Sequence, residues 1–133
     1  MALTLNEANR VIQAAFARAG ELNLKISVAI CDGGGRLVAF QRMDNAFWAS
    51  TVASQGKAVA ASATGYASGD IPDPKENSAL AGIIAAAGGT MIVGKGGFPL
   101  IRAGVIEGGC GVSGGTFEQD EDCARAGAAR FPG

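Results

Sequence analysis

The nine residues from Gly108 to Thr116, Gly-Gly-Cys-Gly-Val-Ser-Gly-Gly-Thr, constrain this chain more than any other stretch. Six of them are Gly or Cys, so the backbone can turn tightly and a neighbouring element can approach it closely. An apolar run at residues 103–106 precedes them and an amphipathic segment follows. Thr116 with Gln119 three residues on forms a capping box, which predicts a helix from Phe117. A strand that feeds a helix through glycines can set bare N–H groups against a ligand. The same glycines also serve simple close packing of strand on helix.

The acids after the turn argue against a phosphate. Glu118, Asp120, Glu121 and Asp122 suit the positive end of the helix dipole, by about 0.3–1 kcal/mol each, and would repel a second anion there. No Lys-Ser/Thr ending of a P-loop is present, and no Gly-x-Gly-x-x-Gly opens a helix after a strand. Asp120, Glu121 and Asp122 fit either a hard-cation site or a solvated acidic helix start.

A chain of 133 residues is long enough for one domain with its own core, and a single domain over residues 1–133 is expected. With 21 glycines, many alanines and 6% aromatics, that core is built from small and aliphatic side chains. The 11 basic and 12 acidic residues form no long run of either sign, which leaves no electrostatic footprint for nucleic acid. No apolar stretch reaches the ~18–20 residues needed to cross a bilayer, and the N-terminus lacks the pattern of a signal peptide. A cytoplasmic protein that engages neither membrane nor nucleic acid is expected. Cys31, Cys110 and Cys123 form no Cys-x-x-Cys pair, and Cys31 and Cys110, in strand-like apolar runs, read as buried small hydrophobes. Histidine is absent altogether, which removes Ser-His and Cys-His catalytic pairs and the usual transition-metal and haem ligand. No metal site is expected.

Along the chain, Thr4 and Glu7 make a capping box ahead of Leu5, Ala8, Val11, Ile12, Ala15, Phe16 and Ala19, the stripe of an amphipathic helix ending near residues 20–23. Residues 26–31 and 36–43 read as strands around Asp32-Gly33-Gly34-Gly35, an antiparallel hairpin. Residues 46–64 read as a helix, 65–74 as an irregular loop and 75–87 as a short helix. Strands are then predicted at 91–93, 98–102 and 105–112, before the final helix. The order predicts an α+β fold with a roughly five-stranded antiparallel sheet covered by helices.

Several of these segments resemble one family, the GlcG/HbpS-like haem-degrading-type domains, which include the C-terminal domain of PduO-type proteins. The resemblance is carried by Ile26-Ser-Val-Ala-Ile-Cys-Asp32 with Gly34-Gly35, Leu37-Val-Ala-Phe40 and Gln41-Arg-Met-Asp44. It continues in Lys57, in Gly96-Gly97-Phe-Pro-Leu100, and in Gly111-Val-Ser-Gly-Gly-Thr116 leading to Gln119-Asp120. It covers nearly the whole chain in the family's order. It implies a profilin-like sandwich, homo-oligomers from tetramer to octamer, and a small-molecule ligand such as haem or a corrinoid. With no histidine here, a haem iron would need another ligand or a purely apolar slot.

Arg42, Asp44 and Lys57 are the charged residues of the best-matched region. In one reading, Arg42 and Lys57 hold a carboxylate, one as a planar fork and the other as a point charge, with Asp44 orienting Arg42 or acting as acid and base. In the other, they are a structural ion pair and a snorkelling lysine. Trp48 and Phe47 could line an apolar slot or anchor the core. Ser113 could donate to a ligand oxygen. Tyr66 and the Pro72-Asp73-Pro74 loop could form a lid, with Glu76 facing the same cavity, or be only a rigid connector. Three functions follow: a ligand-binding oligomer using Arg42, Lys57, Trp48 and Ser113; a cofactor-independent acid–base enzyme (isomerase, hydratase or lyase) with Asp44 or Glu76 as base and Arg42 or Lys57 as clamp; or an accessory oligomer with no small-molecule chemistry.

Overall fold

In the computed structural model, which describes residues 2–132, two capping boxes fix the ends of one helical layer. Thr4 N–H donates to Glu7 Oε1 at 2.9 Å and Glu7 N–H to Thr4 Oγ1 at 3.1 Å, and α1 runs Leu5–Glu21 behind them. The same reciprocal pair at Thr116 and Gln119 opens α4, Phe117–Ala128. Both boxes stand where the sequence predicts them.

Between these helices lie β1 (Ser27–Asp32), β2 (Leu37–Arg42), α2 (Ala49–Thr64), α3 (Ser78–Ala86), β3 (Gly97–Arg102) and β4 (Val105–Ser113). The strands form one antiparallel sheet in the order β2-β1-β4-β3. Ala103 and Gly104, both with positive φ, make the tight turn between β3 and β4.

Register divides the sheet into two unlike faces. Val28, Ile30, Phe98, Leu100, Cys110 and Val112 pack under α1 and α4 with Val11, Ile12 and Ala15. Each fully buried Val, Ile or Leu contributes about 1.5–3 kcal/mol, so this face carries most of the hydrophobic stabilisation. The opposite face presents Ser27, Ala29, Cys31, Gly109 and Gly111 to α2. A Cβ on Gly109 would run into the Ala58 carbonyl, and one on Gly111 into that of Ser54. The glycines that dominate the sequence therefore let α2 lie directly on β4.

An α+β sandwich is confirmed, with four strands rather than five. Residues 91–93, predicted as a strand, form a strap with no ladder partner. Its Ile92 N–H donates to the Gly56 carbonyl of α2 at 3.0 Å, and Gly88, Gly89 and Gly94 turn the chain at positive φ on either side. Gly56 is required there, because a Cβ would overlap the Ile92 side chain. The helix predicted over 75–87 is divided by Asn77, whose side chain accepts from Leu80 N–H and starts α3 after a 3-10 turn at Pro74–Glu76.

Arg102 locks α1 to the β3–β4 hairpin. Its guanidinium donates to both Glu7 oxygens at 2.8 and 2.9 Å and to both Glu107 oxygens at 3.1 and 2.7 Å, and it stacks 4.8 Å from the Phe131 ring centre. These bonds hold the Glu7 carboxyl down to about 2 and lower that of Glu107.

Candidate functional site

On the sheet face that carries α2, the helix covers β4, β1 and β3 but leaves edge strand β2 largely bare. Opposed residues of an antiparallel pair share a face, so Leu37, Phe40 and Arg42, which oppose Cys31, Ala29 and Ser27, stand on this face. The result is a groove with β2 as its floor and α2 as its wall. Val52, Gln55, Gly56 and Val59, spaced three and four apart, turn one flank of α2 towards it.

The groove deepens into a cleft of about 350 Å³ bounded by Ala29, Cys31, Leu37, Val52, Val59 and, on the strap, Ile92. No charged side chain lines it. Its polar groups are modest: Gln55 donates to Thr51 O at 3.2 Å and Thr90 to Ala87 O at 3.0 Å. Burial pushes the Cys31 thiol up to about 11, so it enters the cleft as a neutral, soft group. The volume lies at the low end of the roughly 300–1,000 Å³ of ligand sites.

Arg42 ends β2 at the other end of the groove. It opposes Ser27, whose hydroxyl meets that of Ser50 in the first turn of α2 at 2.7 Å, and Ser113 opposes Ser27 on the far side. Arg42, Ser27 and Ser113 thus form one row across three strands, running from surface to interior. Arg42 is exposed and makes no hydrogen bond or ion pair with another described residue. Trp48 lies one helical turn before Val52 and is 74% exposed. Unlike α1 and α4, α2 starts there without a side-chain cap or an acid in its first turn.

Lys57 is not brought to Arg42. It leaves the opposite flank of α2, passes beside Gly96 and is 3% exposed. Its ammonium donates to Asp120 Oδ2 and to the Val112 carbonyl, both at 3.0 Å, and lies 5.5 Å from the centre of the Phe117 ring. Asp120 Oδ1 accepts from Gly115 N–H at 2.8 Å. Burial raises the Asp120 carboxyl, with Lys57 and Gly115 pulling the other way.

That pair also revises the acidic helix start. Its carboxylates are neither clustered nor merely solvated, because each meets its own cation: Asp120 with Lys57, Asp122 with Arg18 at 2.9 Å, Glu118 with Lys95 at 2.7 Å and Glu121 with Arg125 at 3.2 Å. Among the described residues no group of three or more Cys, Asp or Glu is placed to hold a metal ion. Asp44, Glu76, Phe47 and Tyr66 are exposed, and none lines the cleft. Cys31 and Gln55 do line it. The sequence marks Cys31 only as an apolar strand residue and Gln55 only as a helix-face residue.

Residues 3–129 match the family described as haem-degrading protein, HbpS-like. The chain belongs to the HbpS-like family. Its relatives include a 15.0 kDa protein from the dhaT–dhaS intergenic region of Citrobacter freundii, 36% identical over 119 residues that make up 89% of this chain and 84% of that protein. The corrinoid adenosyltransferase PduO of the same organism is 32% identical over 130 residues, 97% of this chain but only 39% of PduO. Among solved structures, a PduOC:heme complex superposes with a TM-score of 0.88 at 32% identity, covering 98% of this chain and 95% of that one. HbpS gives a TM-score of 0.82 at 28% identity, covering 100% and 92%. A four-stranded sheet with helices on both faces is thus this HbpS-like chain's arrangement, and no helix among the described residues is long and apolar enough to cross a membrane.

Proposed function

We propose that this HbpS-like chain is a small-molecule-binding domain. Its ligand is a flat, largely apolar ring system bearing a carboxylate, of the tetrapyrrole class that includes haem and corrinoids, held in the α2–β2 groove. The observation that carries this reading is an uncharged apolar cleft on the same sheet face as an exposed, unpaired Arg42, which stands outside the cleft lining at the other end of β2. Apolar walls with a few placed polar groups are the ordinary make-up of a ligand site. Arg42 supplies a planar donor fork for a carboxylate, and Trp48 a ring face on which a flat ligand can stack. A related structure holds haem and a longer relative is a corrinoid adenosyltransferase, which points to the same ligand class.

The residues fit the body and the carboxylate of such a ligand, but they supply no imidazole. Cys31 is the sulfur donor that borders the cleft. Haem held here would bring its own iron chemistry; the chain's part is to bind, orient and shield the ring. The acid–base reading gains no matching observation, since the cleft lining contains no carboxylate or amine and Lys57 is engaged with Asp120.

The test is a titration with haemin, beside a corrinoid, on wild type and Arg42→Ala, followed by absorption and by the fluorescence of Trp48, the single tryptophan. Saturation at one ligand per subunit is expected. Affinity should fall about 10- to 100-fold in Arg42→Ala, as a hydrogen bond to a charged group is worth about 1.5–3 kcal/mol. Binding without stoichiometry, indifferent to Arg42, would remove the reading.

A further inference from the structure

The cleft has three walls, and they are not equally fixed. Its floor is β1 and β2, through Ala29, Cys31 and Leu37, and one side is α2, through Val52 and Val59. These two are held at a set distance, because α2 lies on β4 with no room for a Cβ at Gly109 or Gly111. The remaining wall is the strap, which contributes Gly89, Thr90 and Ile92.

The strap is held by little. Among the described residues no strand pairs with it, and its backbone bond to α2 runs from Ile92 N–H to the Gly56 carbonyl at 3.0 Å. At its far end Gly94 N–H donates to the Ser68 carbonyl at 3.1 Å, and Ser68 Oγ donates back to the Gly94 carbonyl at 2.5 Å. Met91 anchors it from below in a small cluster with Ala60 and Ile71, apart from the main core. Ahead of that anchor, residues 77–90 contain no buried residue. Gly88 (φ 77°) and Gly89 (φ 72°) stand at one end and Gly94 (φ 117°) at the other, so both ends turn on backbone that carries no Cβ. Few buried apolar contacts mark the segments of a fold that open locally.

Ile92 is the part of the strap that closes the cleft. Its side chain occupies the space that a Cβ on Gly56 would take, and it borders the cleft beside Gln55. An apolar cavity of about 150 Å³ takes one benzene ring. The cleft, at about 350 Å³, therefore encloses two rings, and a four-ring ligand needs roughly 600 Å³. We propose that residues 88–93 are a hinged flap latched by Ile92 on Gly56, and that Ile92 sets how large a ring system the cleft admits. Lifting the flap about Gly88–Gly89 and Gly94 breaks the Ile92–Gly56 bond and withdraws the Ile92 side chain. The sheet and α2 stay in place. A ligand that enters only the open form binds in proportion to the open fraction, so the closed flap slows entry and weakens apparent affinity together. Gly56 is then the control point, because alanine suits a helix interior while its methyl pushes directly on the latch.

This inference rests on the cleft as the ligand site, but its first test uses no ligand. Amide hydrogen exchange would be followed by NMR on the full chain as wild type, Gly56→Ala and Ile92→Ala, in urea below the unfolding transition, with circular dichroism confirming the fold. The amide of residue 92 should exchange at least about 10-fold faster than those of Val28 and Ile30 in the central strand β1, through an opening that urea barely alters. Both variants should add about another 10-fold. Stopped-flow mixing with haemin, read by Trp48 fluorescence, should then show association quickened by a similar factor in both variants. A residue 92 amide that exchanges only with global unfolding would overturn the proposal, as would haemin association unchanged by Gly56→Ala and Ile92→Ala. Haemin that saturates none of the three proteins would count against the ligand reading alone, since exchange at residue 92 decides the flap without it.

Discussion

Lys57 and Asp120 show how far a single pair can depart from its local context. Taking either charge away leaves the other buried and uncompensated, which costs about 3–5 kcal/mol, whereas replacing both by apolar groups of similar volume is close to neutral. Lys57→Met should therefore lower the urea stability by about that amount, and Lys57→Met/Asp120→Leu should recover most of it. Equal losses in the single and double variants would mean that the pair does not act as a unit. Lys57 stands out in the sequence as a charge among small residues, and Asp120 as an acid suited to a helix start. Their meeting was not legible, since 63 positions separate them and nothing local in either segment records the other. Arg42 is the converse case. The strand pattern places it at the end of β2, and the fold leaves it exposed beside a groove that only the missing cover over β2 creates.

At the scale of elements, β4 and α2 behave as one unit because glycine lets their backbones touch. Gly111→Ala should drive the helix off the strand at Ser54. The loss should reach or exceed the roughly 1–3 kcal/mol of ordinary overpacking, since a carbonyl rather than a flexible side chain blocks the added methyl. Thermal unfolding of Gly111→Ala beside Gly82→Ala, where nothing stands within 4 Å, would check this; equal melting temperatures would contradict it. The starts of α1 and α4 were legible because a capping box is a local signature, readable at Thr4 and Thr116 without knowledge of the fold, whereas α2 and α3 begin three residues later than expected. Hairpins were legible for the same reason. The 91–93 strap was not, because three apolar residues look the same whether they bond to a strand or, as at Ile92, to a helix carbonyl. Which face α2 takes, and hence where the cleft opens, depends on register across strands far apart in sequence.

For the molecule as a whole, acid should be the solvent condition that tests its ion pairs. Glu7, at about 2 in the fold, and Glu107 and Asp122, both lowered by arginines, all titrate below their unfolded values of roughly 4. Their contribution is complete above those unfolded values and is lost as pH falls through the folded ones, so stability should decline from about pH 5 towards pH 2. Asp120, raised by burial, acts in the opposite sense but is one group against three. Glu7→Gln should lower stability at pH 7 and flatten this decline in urea midpoints taken across the range; an unchanged slope would exclude Arg102–Glu7 as its source.

The three cysteines give the molecule a chemical memory of having been open. Burial holds Cys31 and Cys123 up to about 11 and Cys110 up to about 12, so at neutral pH they are protonated and out of reach of alkylating reagents. Cys110 and Cys123 lie in the main core and become reactive only when the sheet parts from its helices. Every tagged Cys110 or Cys123 marks a molecule that has unfolded once, and the rate at which tags accumulate is a clock for that event.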